Sequence, residues 1–231
     1  MDARNMIGRA LGAAGYKLMQ LSRKALEDPS RGPSLSGDRD VEWAWCLGGL
    51  RSEPGRILDL GAGSGILSLA AAFHGHEVVS VDLEPCSFQF SANEIEYVQG
   101  DFNRMTFEDR SFDQILNCST IEHFGLGGRY GSAADDTADL EAMRTLSRLL
   151  RPGGDMLLTI PVGRDDVFAP RHRIYGEERL PRLLEAFAIS DEIYWRKNEA
   201  DRWLRVPREI AIQQLGSPTL YALGLFRLTV R

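Results

Sequence analysis

The stretch Ile57-Leu-Asp-Leu-Gly-Ala-Gly-Ser-Gly-Ile66 constrains this chain more than any other. A short apolar run feeds three glycines at alternate positions, and a run of small and apolar residues follows to Phe73. Strand, tight turn and helix in that order open a parallel α/β unit. The glycines permit a sharp turn and let a ligand approach bare backbone. The alternation continues down the chain. Strands are expected at 56–60, 77–82, 95–99, 112–117, 155–162, 189–195 and 221–230, and helices at 66–73, 137–150 and 177–187. In the second helix Leu140, Met143, Leu146, Leu149 and Leu150 share a face. Arg151-Pro-Gly-Gly154 stops it. Such spacing implies a mostly parallel sheet covered on both faces.

The N-terminal part reads differently. Residues 1–28 have a helical period, with Ile7, Leu11, Leu18 and Leu21 on one side and several basic residues elsewhere. Such a helix suits a cap over a site, a subunit contact as in a homodimer, or an anionic membrane surface. Pro29 to Gly37 mark a loop, and Val41 to Leu50 a second short helix. The expected division is a helical cap over 1–50 and a ligand-binding domain over 51–231. No run of 18 apolar residues suggests a membrane span, and no cleavable leader is expected. Lys and Arg number 27 against 33 Asp and Glu, so the net charge of −6 disfavours a non-specific nucleic-acid binder. Arg104, Arg129, Arg151 and Arg164 show no nucleic-acid spacing. Cys46, Cys86 and Cys118 lack CxxC spacing, which points away from a disulfide framework or zinc site and toward a reducing cytoplasm.

Asp82 ends the strand after the glycine loop, 21 residues beyond Gly61. A carboxylate there is placed to accept hydrogen bonds from a ribose diol. The loop reads GxGxG, not GxGxxG, and Asp59 precedes it. A carboxylate at that point suits a cation better than a pyrophosphate, which counts against a dinucleotide oxidoreductase. No Gly-Lys-Ser/Thr follows, so a P-loop is excluded. A ligand with a ribose, no phosphate and a positive charge is S-adenosylmethionine.

The stretch resembles motif I of the class I S-adenosylmethionine-dependent methyltransferases in its Asp-Leu-Gly-Ala-Gly-Ser-Gly form. Val81-Asp82-Leu83, Gln99-Gly-Asp-Phe102, Phe112-Asp113, Asn117 to His123 and Leu150 to Gly154 resemble the later motifs of that family, in the same order. The resemblance implies a Rossmann-like doubly wound sheet of seven strands, mostly parallel with the last strand antiparallel. It implies S-adenosylmethionine contacts at Asp59, Gly61, Gly63, Gly65, Asp82, Leu83, Asp101, Phe102, Cys118 and Ser119. Glu122-His-Phe-Gly-Leu-Gly-Gly-Arg-Tyr-Gly131, Ile160 to Gly163 and His172 to Gly176 are similar to a methyltransferase-like family first catalogued from nematode proteins. Its bacterial members are associated with polysaccharide gene clusters, which implies a small-molecule or glycan acceptor. Only 11 residues separate Leu83 from Ile95, so the crossover helix there is expected to be short or irregular.

For chemistry, His123 lies just past the fourth strand and is the first candidate for a general base. Glu122 reads as an anchor. His172, with Arg173 and Tyr175, is a second candidate cluster toward an acceptor, and loop anchoring is its other reading. His74 and His76 read as surface residues. Asp135, Asp136, Asp165 and Asp166 read as solvated loop carboxylates, so no metal is expected. Two functions follow: methyl transfer to a small-molecule or sugar-type acceptor, at oxygen, in a biosynthetic step; or a non-catalytic S-adenosylmethionine-binding module.

Overall fold

The computed structural model of the chain describes residues 37–86, 94–128 and 134–231. The expected helix over 1–28 and most of the short crossover between Leu83 and Ile95 lie outside those residues. The description begins at α1 (Asp38–Gly49). Strands β1 (Arg56–Leu60), β2 (Glu77–Asp82), β3 (Ile95–Gln99), β4 (Phe112–Cys118) and β5 (Leu150–Val162) form the parallel part of the sheet. Helix α2 (Ile66–Phe73) links β1 to β2, and α3 (Ala138–Leu149) precedes β5. A hairpin of β6 (Asp166–Phe168) and β7 (His172–Ile174) follows, then α4 (Arg179–Leu183). Strands β8 (Phe187–Lys197), β9 (Trp203–Val206) and β10 (Ala222–Val230), with α5 (Arg208–Ile212) between the last two, complete the sheet.

The strand order is β3-β2-β1-β4-β5-β10-β8-β9. The chain winds outward from β1 through β2 and β3, then returns to lay β4 on the other side of β1. That reversal opens a crevice at the carboxyl ends of β1 and β4, where open α/β sheets bind ligands. The central strands are apolar on both faces because both faces are covered. On one face Cys46 of α1 and Leu67, Ala71 and Ala72 of α2 pack over Ile57, Val78, Leu116 and Leu157. On the other, Leu140, Met143, Leu146 and Leu149 of α3 and Leu180 and Leu183 of α4 pack over Leu58, Ile115, Met156 and Leu158.

The sheet has eight strands where seven are expected. The extra strand, β9, is a four-residue edge strand whose sequence, Trp-Leu-Arg-Val, carries no alternation. Its register comes from pairing with β8. The helix expected at 177–187 is only α4, because Phe187 already belongs to β8. Strand β5 starts at Leu150, five residues before the expected start at Asp155. Its first residue pairs with Phe112, and the Arg-Pro-Gly-Gly stretch bulges before Asp155 rejoins opposite Gln114. His76 is buried, correcting its surface reading. It ties the start of β1 to the segment after α1: the Gly55 N–H donates to Nδ1 at 3.2 Å, and Nε2 lies 3.1 Å from the Arg51 carbonyl oxygen. Burial lowers its pKa.

Candidate active site

A cavity of about 550 Å³ opens at the carboxyl ends of β1, β2 and β4. Its floor is the glycine loop. The Gly61 and Ala62 N–H groups both donate to the Val81 carbonyl, at 2.8 and 3.3 Å, which folds the loop over the end of β2. Gly61 has φ +73°, and a Cβ there would lie 2.2 Å from the Thr120 side chain. Gly63, at φ +54°, leaves its backbone bare toward the cavity.

Asp82 closes one side. The Gly63 N–H donates to its Oδ2 at 2.8 Å and the Glu84 N–H to its Oδ1 at 2.9 Å. Each oxygen keeps a lone pair for a further donor. Leu83, Asp101 and Phe102 also line the cavity. The Asp101 carboxylate accepts from the Asn103 N–H at 3.0 Å and so also caps the short turn that follows. The Phe102 ring is fixed by Phe107 and Phe124, with centroids at 5.9 and 6.4 Å.

Three of the expected contacts lie beneath this surface. Gly65 caps α2 in a left-handed conformation. Asp59 is buried behind the loop, accepting from the Ser68 hydroxyl at 2.6 Å. Burial raises its pKa to about 6; the Ser68 bonds pull it down and the Asp82 charge pushes it further up. Cys118 is buried with its Sγ 3.7 Å from Arg39 Nη1 and 3.6 Å from the Thr159 hydroxyl. Ser119, by contrast, lines the cavity at φ +52°, a conformation unusual for a side-chain-bearing residue. Its hydroxyl donates to Glu122 at 2.7 Å.

His123 reaches the cavity from the turn after β4. Its Nδ1 bonds the carbonyl oxygen of Arg171, at the tip of the β6–β7 hairpin. A carbonyl only accepts, so Nδ1 carries the proton and neutral His123 presents a lone pair at Nε2. Nε2 lies 3.8 Å from a carboxylate oxygen of buried Glu122. That carboxylate can stabilise the ring once Nε2 gains a proton.

His172 does not line the cavity. It is buried in the hairpin between Phe168 and Tyr221, with ring centroids at 5.8 and 5.0 Å. Arg173 and Tyr175 are fully buried too. Arg173 donates to the Phe124 carbonyl and, at 3.4 Å, to the Asp135 carbonyl. It thereby ties Phe124 to Asp135, both of which line the cavity. Of the loop acids, Asp165 caps a turn by accepting from Gly176, Glu178 and Arg179 N–H groups.

Arg39 is a cavity residue that sequence reasoning missed. Its Nη1 is held at 2.6 Å by Glu42, whose carboxylate is fully buried and also accepts from Thr159 at 2.7 Å. Burial pushes the Glu42 carboxyl up, against the pull of Arg39. No motif marks Arg39, because only the packing of α1 beside the end of β4 brings it to the cavity.

Residues 66–211 match the profile of a family described as Caenorhabditis protein of unknown function, DUF268. The chain belongs to this family. Among curated relatives, it is 31% identical over 174 residues to a ubiquinone biosynthesis O-methyltransferase of Alkalilimnicola ehrlichii, covering 70% of this chain and 62% of that protein. It is 28% identical over 188 residues to a demethylmenaquinone methyltransferase of Tropheryma whipplei, covering 74% of this chain and 70% of that protein. Among solved structures it superposes on the Burkholderia thailandensis 1,6-didemethyltoxoflavin-N1-methyltransferase with bound 1,6-didemethyltoxoflavin and S-adenosylhomocysteine. The TM-score is 0.53 at 19% identity, covering 100% of this chain and 92% of that one. The family member described here therefore has the class I S-adenosylmethionine-dependent methyltransferase fold. Among the described residues, no helix is long and apolar enough to cross a membrane.

Proposed function

We propose that the chain is an S-adenosylmethionine-dependent methyltransferase acting on the hydroxyl of a small-molecule or sugar-type acceptor. The observation that carries this reading is Asp82, held by backbone N–H groups of the glycine loop and of Glu84 with acceptor capacity left toward the cavity. That arrangement fits a ribose diol. The bare backbone of Gly63 fits close approach of the donor's amino-acid portion, and Arg39 offers the cation its carboxylate would need. In this reading Asp101 and Phe102, both of which line the cavity, meet the adenine edge and ring. S-adenosylmethionine supplies an activated sulfonium methyl, so the protein chiefly aligns the acceptor.

In this reading His123 Nε2 takes the proton of the acceptor hydroxyl as the new O–CH₃ bond forms and the S–CH₃ bond breaks. The Arg171 carbonyl fixes the tautomer, and Glu122 balances the imidazolium. Acceptor identity rests with the cavity wall at Phe124, Gly125 and Asp135, where Arg173 holds the Phe124 and Asp135 carbonyls.

Two measurements test the proposal. Calorimetry should show saturable 1:1 binding of S-adenosylhomocysteine and none of NAD; equal or tighter NAD binding would overturn the cofactor. A donor-turnover screen across sugars, phenols and amines should release S-adenosylhomocysteine with a hydroxyl acceptor. Turnover confined to amines would overturn the oxygen assignment.

A further inference from the structure

A second cleft, of about 540 Å³, lies at the opposite end of the sheet from the cofactor cavity. It sits where β4 and β5 begin and the antiparallel β10 ends. Arg110, Arg148, Arg151 and Arg231 line it, against one acidic side chain, Asp109. A chain with a net charge of −6 thus gathers four guanidinium groups around one concavity.

The four are not equivalent. Arg151 is anchored: Nη1 donates to Asp113 at 2.6 Å and Nε to the Arg110 carbonyl at 3.3 Å. Arg231 is anchored through Nε to the Phe187 carbonyl at 2.8 Å. Each fixed guanidinium keeps further N–H groups for a ligand. Arg148 is held loosely, 3.8 Å from Asp109, and both partners are mostly exposed. The Arg110 guanidinium has no hydrogen bond or ion pair with any described residue.

Two details favour an anion here. The end of α3 would ordinarily present carbonyl oxygens that repel one. Those of Arg148 and Leu149 are already taken, by the Arg110 and Ser111 N–H groups at 2.8 and 2.9 Å. Arg110 itself adopts φ +54°, where glycine would be more comfortable. The turn carries a strained backbone and, with it, a cation facing the cleft.

We propose that this cleft binds a small phosphorylated anion. Guanidinium groups bond phosphate oxygens in pairs, and a cleft of this size accommodates a ligand larger than a single phosphate. The site is separate from the cofactor cavity and does not depend on the reading of that cavity.

The test uses inorganic pyrophosphate and the whole chain at low ionic strength, followed by calorimetry or amide chemical shifts. Binding should be saturable, should weaken as chloride is raised, and should be unchanged by saturating S-adenosylhomocysteine. Arg110→Gly should weaken it roughly tenfold, the loss of about one charge-assisted contact. The same variant should keep or raise Tm, because glycine relaxes the left-handed turn. Arg148→Glu should weaken binding at least as much. Absence of saturable binding by the wild type would overturn the proposal. So would displacement by S-adenosylhomocysteine, which would put the anion in the other cavity, or wild-type affinity in Arg110→Gly.

Discussion

Asp59 carries the sharpest test of how the glycine loop is built. Its carboxyl is buried behind the glycines, and its pKa rises from the ordinary 3.8 to about 6. Between those values the folded chain holds a proton that the unfolded chain has released. Stability therefore falls as pH rises through that window, by about 3 kcal/mol in total. Asp59→Asn removes the ionisation and keeps the shape. The variant should match the wild type to within an offset below pH 4, then gain on it by about 1–3 kcal/mol between pH 4 and pH 7. Urea midpoints measured across that range give the difference in slope. A constant offset in the asparagine side chain's own hydrogen bonds to Ser68 does not affect that slope. The reasoning is refuted if the two stability profiles run parallel, since Asp59 would then ionise alike in both states. If the carboxylate also supports a cationic donor, Asp59→Asn should lose S-adenosylmethionine affinity by more than it loses S-adenosylhomocysteine affinity.

Asp82→Ala should weaken S-adenosylhomocysteine binding at least about tenfold, because it removes charge-assisted bonds worth roughly 1.5–3 kcal/mol each; unchanged calorimetric affinity in a folded variant would exclude the ribose contact. His123→Ala should lower single-turnover methyl transfer by about 10²–10⁴-fold with donor affinity and Tm nearly unchanged, and the wild-type rate should fall as acid protonates Nε2; a near-normal chemical step would remove His123 from the mechanism. Gly61→Ala should destabilise the fold by about 2 kcal/mol or more, from its left-handed torsion and the Thr120 overlap, as read from thermal melts.

The order of strands, the glycine loop and the placement of Asp82 were legible because they are local. Three alternating glycines, apolar strand runs of five or six residues and a carboxylate at a strand end each leave a mark within a few residues. Edge strand β9 and the β6–β7 hairpin left none, since three or four residues gain strand geometry only from a partner. His123 was visible as a candidate by its position. What makes Nε2 the basic nitrogen is the Arg171 carbonyl, 48 residues away in sequence. His172, the first residue of β7, has the same chemistry available but is turned into the hairpin between Phe168 and Tyr221.

The sequence by itself determined the α/β winding and the glycine-loop end of the crevice, because periodicity and turn chemistry act over neighbouring residues. The tertiary structure decided which groups share a cavity. Arg39 arrives there on α1, held by a buried carboxylate that bonds Thr159 of β5, a residue 117 positions distant. It also decided that four arginines from three separate segments surround one cleft at the far pole. Those juxtapositions arise when the sheet closes its core and brings distant segments to the same edge, and spacing along the chain carries no trace of them.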